Sequence, residues 1–249
     1  MRGLRGWVLP LLLLALWVVA TRKAWVSPVV LVPPAQVIAA LGDPIVKAHL
    51  AGALVGSVRR MVEGAGFGIA VGLAFGTVLA LSRRADRLMG PTFHAFRQIA
   101  VFAWSPLLTA WFGNGETSKI VFIGLAAFYP TVMGTYQGIR DVKPALLEVG
   151  DVLCFPPTLR LRRILLPAAL PAIAASLQLA LLFSWLAAIG AEYLMGGLTQ
   201  GVGAFVITGR EQLRTDLVLV GIVCIAILGF ALNALLRLSV RRLSRWRQA

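Results

Sequence analysis

Six stretches of this 249-residue chain run for 16 to 28 residues without an Asp, Glu, Lys or Arg. They lie between Arg5 and Arg22, Glu63 and Arg83, Arg97 and Glu116, Lys119 and Arg140, Arg163 and Glu192, and Asp216 and Arg237. A helix needs about 20 predominantly apolar residues to cross a bilayer, and a charge at its centre costs roughly 2.5 to 3.5 kcal/mol on insertion scales. Backbone groups in lipid must be satisfied internally, so such spans form a helical bundle. The chain is therefore read as all-α, a polytopic membrane bundle of about six transmembrane helices. Composition agrees: 59% of residues are apolar and 14% charged, too little charge to cover a water-soluble surface. An ordinary soluble enzyme, a disordered chain and a secreted disulfide scaffold are excluded.

The formal net charge of +14 would suggest nucleic acid in a soluble domain. Here the cations cluster between apolar runs, where they anchor helix ends, and no nucleic-acid partner is expected. If the N-terminus is cytoplasmic, 16 of the 24 Lys and Arg residues fall on that side. They include Arg83, Arg84, Arg87, Arg97, Arg140, Lys143, Arg160, Arg162 and Arg163. The bias places both termini on the cytoplasmic side of the membrane. Residues 7–20 could be a cleavable signal segment, but Trp17, Arg22 and Lys23 suit a retained anchor.

Two further uncharged stretches carry breakers. Ala24 to Gly42 contains Pro28, Pro33 and Pro34, and is read as extended. Tyr193 to Gly209 contains Gly196, Gly197, Gly201 and Gly203, and is read as a loop or re-entrant turn. The expected organisation is an N-terminal helix and extracytoplasmic segment over 1–44, a transmembrane domain over 45–240, and a basic tail over 241–249.

Gly64, Gly68, Gly72 and Gly76 recur every fourth residue. That spacing stacks them on one helical face, where missing side chains admit another helix at close range. The loop at 141–163 differs in character. Pro144 opens a short, largely apolar helix carrying Glu148 and Asp151, Pro156 and Pro157 stop it, and Arg160, Arg162 and Arg163 follow. A short amphipathic helix on a basic face can lie on anionic lipid or dock into a partner's groove.

At these residues the chain resembles the membrane permease of a binding-protein-dependent ABC importer, of the branch handling nitrate, sulfonates and taurine. The family signature is a Glu-Ala-Ala run, a Gly six residues after the Glu, and a Leu-Pro about a dozen residues on. It is matched by Glu148-Val149-Gly150, Cys154 and Leu166-Pro167. The likeness runs from about Val32 to Arg247 and includes Ser57, Arg60, Pro106-Leu107, Trp111-Phe112-Gly113, Ser118-Lys119 and Leu213-Arg214-Thr215-Asp216. Val149 and Gly150 replace both alanines, Cys154 replaces a glycine that supplies a turn through positive φ, and Ala100 stands where a proline is usual.

The resemblance implies the type I ABC importer permease fold and a coupling loop carried by Glu148, Val149, Gly150, Asp151, Cys154 and Pro157. It also implies a second permease, expected as a homodimer, a cytoplasmic ATPase dimer holding ATP and Mg, and an extracytoplasmic solute-binding protein. No G-x-x-x-x-G-K-[ST] phosphate loop occurs, so ATP hydrolysis is assigned to a partner and no enzyme activity or cofactor to this chain.

Remaining polar and bulky residues give weaker expectations. Gln178, Ser184, Glu192 and Trp104 are candidates for the translocation path. Glu192 also suits an interfacial residue that ends its helix and orients a loop. His49 and His94 are single, and Cys154 and Cys224 lie far apart, so no metal site is expected. A secondary carrier is the alternative, though no half-to-half repeat or mid-span charge supports it.

Overall fold

The computed structural model describes residues 2–23, 25, 27, 31–196 and 200–244. Pro28, Gly197, Thr199 and the tail from 245 to 249 lie outside the described residues. The helices are α1 (Arg2–Arg22), α2 (Pro34–Gly42), α3 (Pro44–Leu81), α4 (Arg83–Gln98), α5 (Ser105–Phe112), α6 (Glu116–Arg140), α7 (Pro144–Val152), α8 (Pro157–Arg160), α9 (Leu166–Leu194), α10 (Val202–Glu211) and α11 (Thr215–Ser244). A 3₁₀ turn at Val101–Trp104 precedes α5, and a π turn at Leu161–Leu165 joins α8 to α9. Among the described residues there is no strand.

Four helical segments are long and apolar enough to cross a membrane: Pro44–Leu81, Glu116–Arg140, Pro157–Leu194 and Thr215–Leu235. Two shorter apolar helices, Leu11–Arg22 and Val101–Phe112, fall in the first and third uncharged stretches. The third stretch is broken rather than continuous. Ile99 and Ala100 are extended, with ψ of 123° and 131°, between the end of α4 and the 3₁₀ turn. Arg97, grouped above with the cations flanking the spans, stands in the last turn of α4.

The chain forms two compact units. The first comprises Met1–Gly56 and Gln200–Ile227. Its core gathers Val32, Val37, Ala40, Val46, Leu50, Leu217 and Val220, with Trp17 packed against it. Trp17 donates its indole N–H to the Val32 carbonyl at 3.1 Å, which satisfies the polar edge of a ring otherwise in apolar contact. Residues 34–42, expected to be extended, are helical: Pro33 is the N-cap and Pro34 the first residue, where its missing N–H has no helical partner to lose. Residues 202–209 are likewise helical rather than loop. Gly209 serves packing, since a Cβ there would sit 3.1 Å from the Leu217 Cβ.

The second unit comprises Ser57–Thr199 and Leu228–Ala249, and is organised around α6. On one side of α6 lies the glycine row of α3. A Cβ on Gly64 would approach Ile123 Cβ at 2.7 Å, one on Gly72 the Thr131 Cβ at 2.9 Å, and one on Gly76 the Val132 carbonyl at 2.8 Å. At Gly68 it would overlap the Gly124 carbonyl. α9 packs on α6 by the same device: a Cβ on Gly134 would overlap Ser176, and one on Gly138 would lie 3.0 Å from the Ala172 Cβ. With no difference in hydrophobicity between lipid tails and helix surfaces, such close approach is what holds membrane helices together.

Gly68→Ala should therefore force α3 and α6 apart. We expect a loss of about 1 to 3 kcal/mol, read as a lowered Tm of the purified protein in lipid nanodiscs. Gly66→Ala, whose Cβ would meet nothing within 4 Å, should leave the Tm unchanged or raise it.

Candidate functional site

Two arrangements in the second unit carry chemistry. The first is an ionic cluster formed where the N-terminal end of α6 meets the C-terminal end of α9. Arg60 on α3 is 3% exposed, and Lys119 on α6 and Glu192 on α9 are each 1% exposed. Arg60 donates from Nη2 to Glu192 Oε1 at 2.6 Å and from Nη1 to Glu116 Oε1 at 2.9 Å. Ser57, one turn before Arg60, donates its hydroxyl to the same Glu192 oxygen at 2.6 Å. Arg59 extends the cluster to solvent, 3.7 Å from Glu116 and 3.3 Å from Glu63.

The cluster joins two buried cations, Arg60 and Lys119, to the buried carboxylate of Glu192 and the half-buried one of Glu116. A buried charge is tolerable only when paired and hydrogen-bonded, and this set is balanced. Glu192, expected at an interface, is enclosed instead because Arg60 reaches it from another helix. Sequence reasoning missed the cluster, although Glu116, Lys119 and Glu192 each border an uncharged stretch. Opposite charges at span ends that topology places on one side were the available signal.

The second arrangement is the segment following α6. Proline at its first position starts α7, and its C-terminus closes in a Schellman turn. The Phe155 N–H donates to the Gly150 carbonyl and the Cys154 N–H to the Asp151 carbonyl, each at 3.0 Å. Cys154 occupies the left-handed position with φ of 49°, where L side chains are strained and glycine is free. The turn expected from the signature glycine thus forms with a cysteine in its place, ahead of Pro156. Leu213 ends α10 in the same way, with φ of 57° and bonds from its own N–H to the Arg210 carbonyl and from Arg214 N–H to the Gly209 carbonyl.

Asp151 accepts from Arg160 on α8 at 2.6 Å, an exposed pair worth less than about 1 kcal/mol. Gly150 is the buried face of α7, where a Cβ would meet Ile164 at 2.7 Å. An apolar stripe beside that face is open: Leu146, Val149 and Leu153 are exposed, and Val152, on the far side from Gly150, is 82% exposed. Glu148 is exposed beside them, and Pro157 is the first residue of α8.

The remaining path candidates are scattered. Ser184 is buried and spends its hydroxyl proton on the Ala180 carbonyl at 2.8 Å. Gln178 lines a cavity of about 140 Å³ with Met61, Trp185 and Asn233. Trp104 packs its ring 5.8 Å from Phe96 in the 3₁₀ turn. Among the described residues no group of three or more His, Cys, Asp or Glu could hold a metal.

Residues 68–245 match the model of the binding-protein-dependent transport system inner membrane component. The chain belongs to that family. It is the membrane permease of an ABC importer, a multi-pass protein of the inner membrane whose ATPase and binding protein are separate partners. It is 33% identical over 246 residues to a Bacillus subtilis (strain 168) protein named as an aliphatic sulfonates transport permease, covering 99% of this chain and 88% of the relative. It is 35% identical over 247 residues to the taurine transport system permease protein of Escherichia coli (strain K12), covering 96% and 87%. A chain of the MetNI methionine ABC transporter in an inward-facing conformation shares its fold, with a TM-score of 0.63 at 17% identity, covering 80% of this permease and 99% of that chain.

Two outcomes follow for the permease. Cys154→Gly should slow amide exchange at residues 154 and 155 by several-fold, and Cys154→Val should accelerate it, because a β-branched residue is penalised most at positive φ. Glu192→Ala, which removes the buried one of Arg60's two carboxylate partners and leaves an excess of positive charge in the interior, should cost roughly 3 to 5 kcal/mol in thermal unfolding. The pair Arg60→Met with Glu192→Leu should cost clearly less, since both charges leave together.

Proposed function

We propose that this permease forms half of the translocation path for a small organic anion of the sulfonate class, taurine included. It pairs with a second copy of itself, with both termini in the cytoplasm. Two cytoplasmic ATPase subunits, holding ATP and Mg, drive it through α7, and an extracytoplasmic binding protein delivers the solute.

The observation that carries the reading is the open apolar face of α7. Val149, Val152 and Leu153 are exposed on a nine-residue helix locked at its end by the Cys154 turn. Isolated exposed apolar residues need no explanation, but a row of them on a short helix in a basic loop fits insertion into a groove of a soluble partner. The residues assigned to coupling are Glu148, Val149, Gly150, Asp151, Cys154 and Pro157. Val149 would make apolar contact and Glu148 polar contact at its rim, while Gly150 seats the helix on Ile164. Asp151, Cys154 and Pro157 hold the helix at its angle. The solute class is supported by the sulfonate and taurine relatives. The same relatives favour ATP-driven import over a secondary carrier.

The test is reconstitution of the permease with its ATPase and binding protein in proteoliposomes. Uptake of labelled taurine or ethanesulfonate should require ATP; uptake by the permease alone on an ion gradient would refute the reading. Val152→Asp and Glu148→Lys should each lower ATP-dependent uptake at least tenfold, because burying an unpaired charge or reversing one at a docking helix opposes contact. Normal uptake by both variants would remove the assignment to α7.

A further inference from the structure

In the second unit a groove of about 560 Å³ runs along α6 from Tyr129, at the middle of its span, to Gln137 near its Arg140 end, and the ionic cluster does not reach it. Tyr129, Met133 and Gln137 line it from α6, Leu179 and Phe183 from α9, and Arg97 from the last turn of α4. Tyr129 lies at the middle of the Glu116–Arg140 span, and Leu179 is close to the middle of the Pro157–Leu194 span. Arg97 is 14 residues beyond Arg83 on one helix, about 21 Å along it at 1.5 Å per residue. Arg97 is exposed, on a helix that is not itself one of the four long apolar segments, and it shares this groove with the mid-span Tyr129.

Arg97 differs from Arg60 in having no counter-charge. Among the described residues it makes no hydrogen bond or ion pair, and no carboxylate lines the groove. Its lining therefore carries a formal charge of +1 from Arg97, with the Tyr129 hydroxyl and the Gln137 carboxamide as further donors. Arginine is always protonated, and its planar fork matches an oxyanion with two parallel bonds. The chain break at Ile99–Ala100 follows Arg97 directly, so the side chain stands where the helix stops rather than within a packed face. Ala100 has φ of −57°, which fixes the break in a backbone that proline would also adopt.

We propose that this groove is an anion subsite of the translocation path. Arg97 takes the sulfonate or equivalent oxyanion head of the solute, with Tyr129 and Gln137 donating to it, while Met133, Leu179 and Phe183 receive the aliphatic part. The inference rests on the reading of this permease as the path for a small organic anion. It makes Arg97 a specificity-determining residue, because a neutral solute would leave its charge unanswered there.

The experiment uses the complete transporter in proteoliposomes and whichever of labelled taurine or ethanesulfonate the wild type takes up faster. Arg97→Met should lower uptake at least tenfold while the complex still purifies with its ATPase, and Arg97→Lys should retain more than the Met variant. In a Cys154→Ser, Cys224→Ala background, Arg97→Cys should regain uptake after a thiosulfonate reagent attaches a trimethylammonium group, and not after one attaches a sulfonate. This charge dependence decides the matter even where the Met variant fails to assemble. Uptake by Arg97→Met within twofold of wild type, or equal recovery with both reagents, would overturn the subsite and leave the transport reading standing. Absence of ATP-dependent uptake in the wild type would overturn both.

Discussion

The architecture of the second unit depends on two backbones touching, at Gly68 of α3 and Gly124 of α6. No side chain separates the helices there, so the neighbouring positions Gly64, Gly72 and Gly76 must also be bare. α6 then has one face committed to α3 and another committed, through Gly134 and Gly138, to α9. This explains why its buried surface is rich in small residues and includes Thr131 and Thr135, whose hydroxyls bond back to the Ala127 and Thr131 carbonyls. Polar groups on a helix gripped from two sides must be satisfied by that helix.

Charge is treated in two ways in the same unit. At one end of the spans Arg60 and Glu192 are sealed from solvent, and each meets an opposite charge at hydrogen-bond distance. Such a cluster adds little net stability compared with an apolar replacement, but it strongly penalises any arrangement that separates its members. It therefore fixes the register of α3, α6 and α9 at that end. The groove at Arg97 is the converse: one charge with no counter-charge among the described residues.

Periodicity made the packing legible and made the ion pairs illegible. Four glycines at intervals of four could only mean a close helical contact, though not which helix would make it. The long uncharged runs located α3, α6, α9 and α11, since mean hydropathy reflects the lipid environment directly. The same rule failed for residues 98–115, where an apolar run hides a break that no charge marks. Reading breakers as loops failed at Pro34 and at Gly203 and Gly209, because proline at a helix start and glycine at a helix contact are both helix-compatible. Arg60 carried the family resemblance, but its ion pairs were not readable, because its partners Glu116 and Glu192 come from helices distant in sequence. The family signature marks Cys154 as the place of a turn-forming glycine, yet Pro156 and Pro157 predict the stop; the helix ends at Cys154 because a cysteine can occupy the left-handed position at some strain.

That turn has a mechanical consequence. Two backbone bonds close the end of α7, Asp151 ties it to Arg160, and Gly150 rests on Ile164 in the π turn that feeds α9. A push on the outer face of such a segment cannot be absorbed by flexing at a loose joint. Any such push would pass to the start of α9, so stiffness, rather than reach, is what so short an arm would contribute.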